Sequence, residues 1–136
     1  MLLVTSLSFT YAGNDTMAKT ILVVDDEQNF LELLTGSLGK RGFEVKTASN
    51  GIEALKLVEI ESFDLALLDI RMGPMNGIQL LGEIKARQPD IKVIMMSGYP
   101  TRETGGQALE KGVSAYLTKP VDLEELLKTM NALLAC

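Results

Sequence analysis

Residues 20–25 read TILVVD, and a second acidic residue, Asp26, follows at once. Five β-branched or apolar residues running into a pair of carboxylates form the pattern of a strand covered on both faces, with its charged end emerging at an edge of the sheet. Working outward, similar runs recur as EVKTA (44–48), DLALLD (64–69), KVIMM (92–96) and SAYLT (114–118). Segments of helical period lie between and after them, at 28–40, 52–61, 77–87, 101–111 and 123–135. Strand alternating with helix predicts an α/β fold: a five-stranded parallel sheet, order 2-1-3-4-5, with helices on both faces.

The pattern within each run assigns its place. The first, third and fourth are apolar nearly throughout and suit the middle of the sheet; the second alternates and suits an edge. The last helical segment has the cleanest stripe, Leu123, Leu126, Leu127, Met130, Leu133 and Leu134, with Asp122 at the N-cap position. The fourth is the weakest, because Gly105 and Gly106 each cost about 1 kcal/mol relative to alanine. It is expected to be the most mobile element.

A chain of 136 residues with 46% apolar content buries the core of one domain. Its net charge of −5, with no block of Lys or Arg, argues against nucleic acid and leaves proteins or cations as partners. There is no histidine, which excludes Ser-His-Asp and Cys-His catalysis and any phosphohistidine donor within the chain. The one cysteine, Cys136, stands at the C-terminal end, so no internal disulfide forms and a reducing, cytoplasmic setting is the simpler reading. Residues 1–16 (MLLVTSLSFTYAGNDT) have no basic residue and no small-residue cleavage pattern. They read as a disordered leader or a misassigned start ahead of a domain over 17–136, and their apolar run is too short to span a membrane. No output domain is expected beyond the fifth helix.

In a doubly wound sheet, ligands bind outside the carboxyl ends of the strands. Those ends carry Asp25-Asp26, Asp69, Ser97 and Lys119-Pro120, on the four strands that the expected order makes contiguous; the second strand ends in the inert Ser49-Asn50. Three crowded carboxylates need a cation, and hard oxygen ligands without His or Cys favour Mg²⁺. Lys119 and the Ser97 hydroxyl complete a site for a phosphoryl group, with Asp69 on the central strand the best nucleophile. Seen singly, each has an ordinary reading: Asp26 as a helix cap, Asp69 and Ser97 as turn residues, Lys119 as a solvated lysine. Their joint placement favours the functional one.

The segments ILVVDDE, LALLDIRM, VIMMSGY and AYLTKP, in this order and spacing, resemble the receiver domains of bacterial two-component response regulators, the CheY-like family. The resemblance covers nearly all of 17–136 and implies a stand-alone receiver. It implies that Asp25 and Asp26 bind Mg²⁺, Asp26 more directly, that Asp69 is the phosphoacceptor, and that the backbone carbonyl of Arg71 adds a ligand. Ser97 is then the switch hydroxyl, Tyr116 the aromatic that moves with it, and Lys119 the ion-pair partner, followed by a commonly cis Lys119-Pro120 bond. A sensor histidine kinase or histidine phosphotransfer protein would donate the phosphoryl group. An altered α4-β5-α5 surface would be read by a downstream protein or by a second copy in a phosphorylation-dependent homodimer.

The loop after the acceptor departs from the family, since Met72 is followed by Gly73-Pro74 where Met-Pro is usual. Tyr99, two residues beyond Ser97, is expected to shield the phosphoryl, so that Tyr99→Ala shortens its lifetime. Other classes fit less well. A haloacid-dehalogenase-type phosphatase needs its two acids separated by one residue, whereas these are adjacent, and a flavodoxin-like FMN carrier needs glycines and hydroxyls where DDEQNF stands. The complete set of site residues speaks against a pseudo-receiver, and the chemistry is single-turnover, not that of a metabolic enzyme.

Overall fold

Strands and helices alternate strictly: β1 Thr20–Val24, α1 Gln28–Gly39, β2 Glu44–Ala48, α2 Gly51–Ile60, β3 Leu65–Asp69, α3 Gly77–Arg87, β4 Lys92–Ser97, α4 Arg102–Glu110, β5 Ala115–Thr118 and α5 Leu123–Leu134. This is a computed structural model that describes residues 18–72, 75–98 and 102–135. The expectations for residues 1–16, Gly73-Pro74, Tyr99 and Cys136 lie outside the described residues. Element ends differ from the sequence reading by a residue or two, as helix and strand termini do.

The sheet is parallel throughout, in the order β2-β1-β3-β4-β5. β3 is buried at every position and β1 at all but its first, while β2 at the edge is mostly exposed. Alternate residues feed two cores. Leu22, Val24, Ala66, Leu68, Val93 and Met95 pack with α2, α3 and Ala108 of α4. Ile21, Val23, Leu65, Leu67, Ile94 and Met96 face Leu31, Leu34 and Leu38 of α1 and Leu126 and Met130 of α5. Each Val, Leu, Ile or Met among them contributes roughly 1.5–3 kcal/mol on burial, and the double layer explains why no polar residue interrupts the central strands.

Register levels the strand ends. Val24 pairs with Leu68, Asp69 with Met96 and Ser97 with Thr118. Asp25, Asp69, Ser97 and Lys119 therefore lie at one edge of the sheet, each at or one step past the last pair.

Local signals set the helix starts. Asn76 and Gln79 form a reciprocal capping box on α3, and the Asp122 carboxylate accepts from the Glu124 and Glu125 amides at the start of α5, as its sequence position predicts. The N-cap of α1 is Glu27, with no side-chain cap, so Asp26 does not cap that helix. α4 forms despite Gly105 and Gly106, and a Cβ at either position would meet nothing within 4 Å, so packing gives no reason for the pair. Among the described residues no helix is long and apolar enough to cross a membrane.

Candidate functional site

The tight turn from β1 into α1 aims Asp25 inward and leaves Asp26 outside. Asp25 is fully buried; its Oδ1 accepts from the Glu27 amide at 2.9 Å and its Oδ2 from Lys119 Nζ at 2.6 Å. Asp26 is exposed beside it. Asp69, 6% exposed, ends β3, where its Oδ1 accepts from the Arg71 amide at 3.3 Å. Ligand atoms from Asp25, Asp26 and Asp69 all lie within 4.8 Å of one another. Charges at that distance repel by roughly 3–4 kcal/mol per pair at an effective dielectric near 20.

Lys119 relieves part of this. It reaches across from the end of β5, where its backbone amide donates to Ser97 O at 2.8 Å, and its Nζ also stands 3.6 Å from Asp69 Oδ2 and 3.9 Å from Glu27 Oε1. The Lys119-Pro120 peptide is cis. One ammonium does not balance the carboxylates. Burial pushes the Asp69 carboxyl above its ordinary pKa and the Asp25 charge adds to this, against the pull of Lys119 and the Arg71 amide. Burial acts to lower the Lys119 pKa, but the hydrogen bond and charge of Asp25, then Asp69 and Glu27, outweigh it and leave it raised. Three hard oxygen donors of high charge density, without nitrogen or sulfur ligands, fit a divalent cation that prefers oxygen.

The other sequence-predicted residues take their expected strand positions. Ser97, 3% exposed, closes β4 one step beyond the residue paired with Asp69. Tyr116 on β5 pairs with Met95 of β4, is half-buried, and its hydroxyl lies 3.3 Å from Thr104 Oγ1 on α4. Arg71 enters through its backbone amide. Two participants were not singled out from sequence. Gly77 opens α3 with its amide donating to Ile70 O at 2.8 Å, so close that a Cβ there would stand 2.3 Å from the Asp69 carbonyl oxygen. The Phe30 ring lies under Lys119, 4.9 Å from Nζ to centroid. The Asn-Gly step at 76–77 was a signal for the first; the second needed three-dimensional placement.

A family model described as the response regulator receiver domain matches residues 21–131. The chain belongs to this family. It is 43% identical over 115 residues to the transcriptional regulatory protein ZraR of Klebsiella oxytoca, an alignment covering 85% of this chain and 26% of ZraR. It is 40% identical over 111 residues to the regulatory protein AtoC of Escherichia coli (strain K12), covering 82% of this chain and 24% of AtoC. The chain thus spans about a quarter of the length of these curated relatives, which lend no support to the expectation of a stand-alone receiver. Among solved structures, a CheY-like receiver domain protein from Methanospirillum hungatei JF-1 superposes with a TM-score of 0.85 at 36% identity, covering 87% of this chain and 94% of that one. A response regulator from Burkholderia pseudomallei, solved with a phosphorylated aspartic acid, calcium ion and citrate, gives 0.78 at 35% identity, covering 84% and 68%.

Proposed function

We propose that Asp69 accepts a phosphoryl group from a partner's phosphohistidine in a Mg²⁺-dependent reaction, and that the phosphorylated domain signals through its α4-β5-α5 face. The observation that carries this reading is the convergence of three carboxylates within 4.8 Å, with the Lys119 ammonium 3.6 Å from the acceptor. The donor's N–P bond breaks as an Asp69 oxygen bonds to phosphorus, and the departing imidazole takes up a proton. Lys119 holds positive charge beside the acceptor oxygen, and the Arg71 amide fixes the carboxylate's other oxygen. Asp25, Asp26, Asp69 and the Arg71 carbonyl would hold Mg²⁺, which supplies neutralising charge to the phosphoryl oxygens when bound. Both Asp25 oxygens already have hydrogen-bond partners, which supports Asp26 as the more direct ligand. The relative that carries a phosphorylated aspartate with a calcium ion supports both the acceptor and a divalent partner.

Hydrolysis returns the carboxylate, so the domain turns over once per signal and is not a metabolic enzyme. Since the chain has no histidine, the donor is a sensor histidine kinase or histidine phosphotransfer protein. Ser97 moves onto the phosphoryl and Tyr116 follows, altering the surface read by a downstream protein or a second copy. The acidic domain itself makes no direct contact with nucleic acid or membrane and works in the cytoplasm. The test is to expose the protein to acetyl phosphate with and without Mg²⁺ and weigh it. A gain of one phosphoryl that needs the metal is expected; no gain under any condition would favour a pure binding module.

A further inference from the structure

Lys119 has more than one place to go. Its side chain is 19% exposed; buried Asp25 accepts from Nζ at 2.6 Å, Asp69 stands 3.6 Å away, and the Glu27 carboxylate, 70% exposed, 3.9 Å away. A cavity of about 540 Å³, lined by Glu27, Phe30, Leu33, Lys119, Pro120 and Val121, opens beside it. The hydrogen bond to Asp25 fixes one N–H of the ammonium but does not choose between Asp69 and Glu27, which stand at similar distances. The Phe30 ring supplies a second restraint. It sits on the first turn of α1, half-buried against the core, with Nζ 4.9 Å from its centroid, inside the range where the negative face of an aromatic ring attracts a cation.

We infer that Phe30 is a positioning residue for the phosphoryl site: together with the Asp25 hydrogen bond, its ring face seats the Lys119 ammonium within reach of Asp69. The inference rests on the phosphoacceptor reading for its functional consequence. Its structural content, Lys119 seated on the ring, can be read independently. Phe30→Leu keeps an apolar side chain of similar reach but has no π face, whereas Phe30→Trp and Phe30→Tyr keep one.

The experiment measures initial rates of labelling by sub-saturating acetyl phosphate in Mg²⁺ for the full chain and these three variants. NMR of the metal-free proteins reads the Lys119 ε-methylene protons. Labelling is expected to fall roughly 2- to 5-fold in Phe30→Leu, the effect of losing one partly exposed cation–π contact. It is expected to stay within the wild-type range in Phe30→Trp and Phe30→Tyr. The ε-protons are expected upfield in wild type, and this ring-current shift should vanish in Phe30→Leu and persist in the aromatic variants. The inference is overturned by a folded Phe30→Leu that labels at the wild-type rate, by aromatic variants as slow as Phe30→Leu, or by a wild-type spectrum without the upfield shift. A wild type that shows the shift but takes no phosphoryl refutes the phosphoacceptor reading and leaves Lys119 on the ring.

Discussion

Replacing Gly77 by alanine should destabilise the fold and disable the acceptor together, and the structure sets the size of both effects. A Cβ at position 77 would stand 2.3 Å from the Asp69 carbonyl oxygen, 2.8 Å from Ile70 Cα and 2.9 Å from Met95 Cε. The Met95 methyl can rotate away. The other two are backbone, and one belongs to the acceptor, so relief requires α3 or the end of β3 to shift by about 1 Å. Overpacking of this kind costs roughly 1–3 kcal/mol, and the upper end applies where the obstructing atoms are main chain. At an m-value of about 1–3 kcal/mol/M, the urea midpoint falls by at least roughly 1 M. Moving a reacting group by about 1 Å is enough to cost up to about 100-fold in rate, so labelling of the folded variant should fall sharply. Gly36→Ala is the control. It lies in α1 with nothing within 4 Å of the added methyl, and helix propensity alone favours it by up to about 1 kcal/mol. Urea unfolding followed by far-ultraviolet circular dichroism should thus move the two variants in opposite directions. Midpoints that shift together, or a Gly77→Ala protein as stable and reactive as wild type, would refute the steric reasoning.

Other outcomes follow from the charges and caps. The raised pKa of Asp69 means that the folded state holds this proton where the unfolded chain has lost it, so its contribution to stability is present at low pH and lost as pH rises through the folded pKa. Asp69→Asn, which cannot ionise, should therefore gain on wild type between acid and neutral pH in EDTA, and Mg²⁺ should narrow the gap; urea midpoints showing a constant or reversed gap would contradict this. Lys119→Met leaves the fully buried Asp25 without its cation and should cost about 3 kcal/mol, with Asp25→Asn recovering part of the loss in the same denaturation assay. Asp122→Ala removes the acceptor for two amides of α5 and should lower stability by about 1 kcal/mol in a thermal melt, while Asp122→Asn stays near wild type.

Much of this architecture is legible in one sequence, because the features that decide it are local. TILVVD and LALLD are apolar on both faces, so they must be central; EVKTA alternates and lies at the edge; the stripe of α5 and the Asp122 cap mark their helix. The site is legible for a related reason: a parallel sheet delivers the carboxyl ends of its strands to one edge, so chemistry read at four ends must converge. What could not be read is how the side chains divide the space. The resemblance makes Asp26 the more direct ligand of the pair, but it does not tell that Asp25 is buried against Lys119 while Asp26 faces solvent. Lys119 lies closer to Asp25 than to the acceptor, because two strand ends and the α1 turn meet there. Gly77 and Phe30 have roles set by approach distances between segments far apart in the chain, to which composition and periodicity are blind.

The central claim is that one carboxylate of the three, Asp69, takes the phosphoryl group. Acyl phosphates are reduced by borohydride to the alcohol, which converts a phosphorylated aspartate to homoserine while free carboxylates are untouched. After reaction with acetyl phosphate and Mg²⁺, borohydride reduction and peptide sequencing by mass spectrometry should place homoserine at position 69 alone, and none should form in Asp69→Asn. Homoserine at position 25 or 26 in the wild-type protein, or undiminished labelling in Asp69→Asn, would contradict the account.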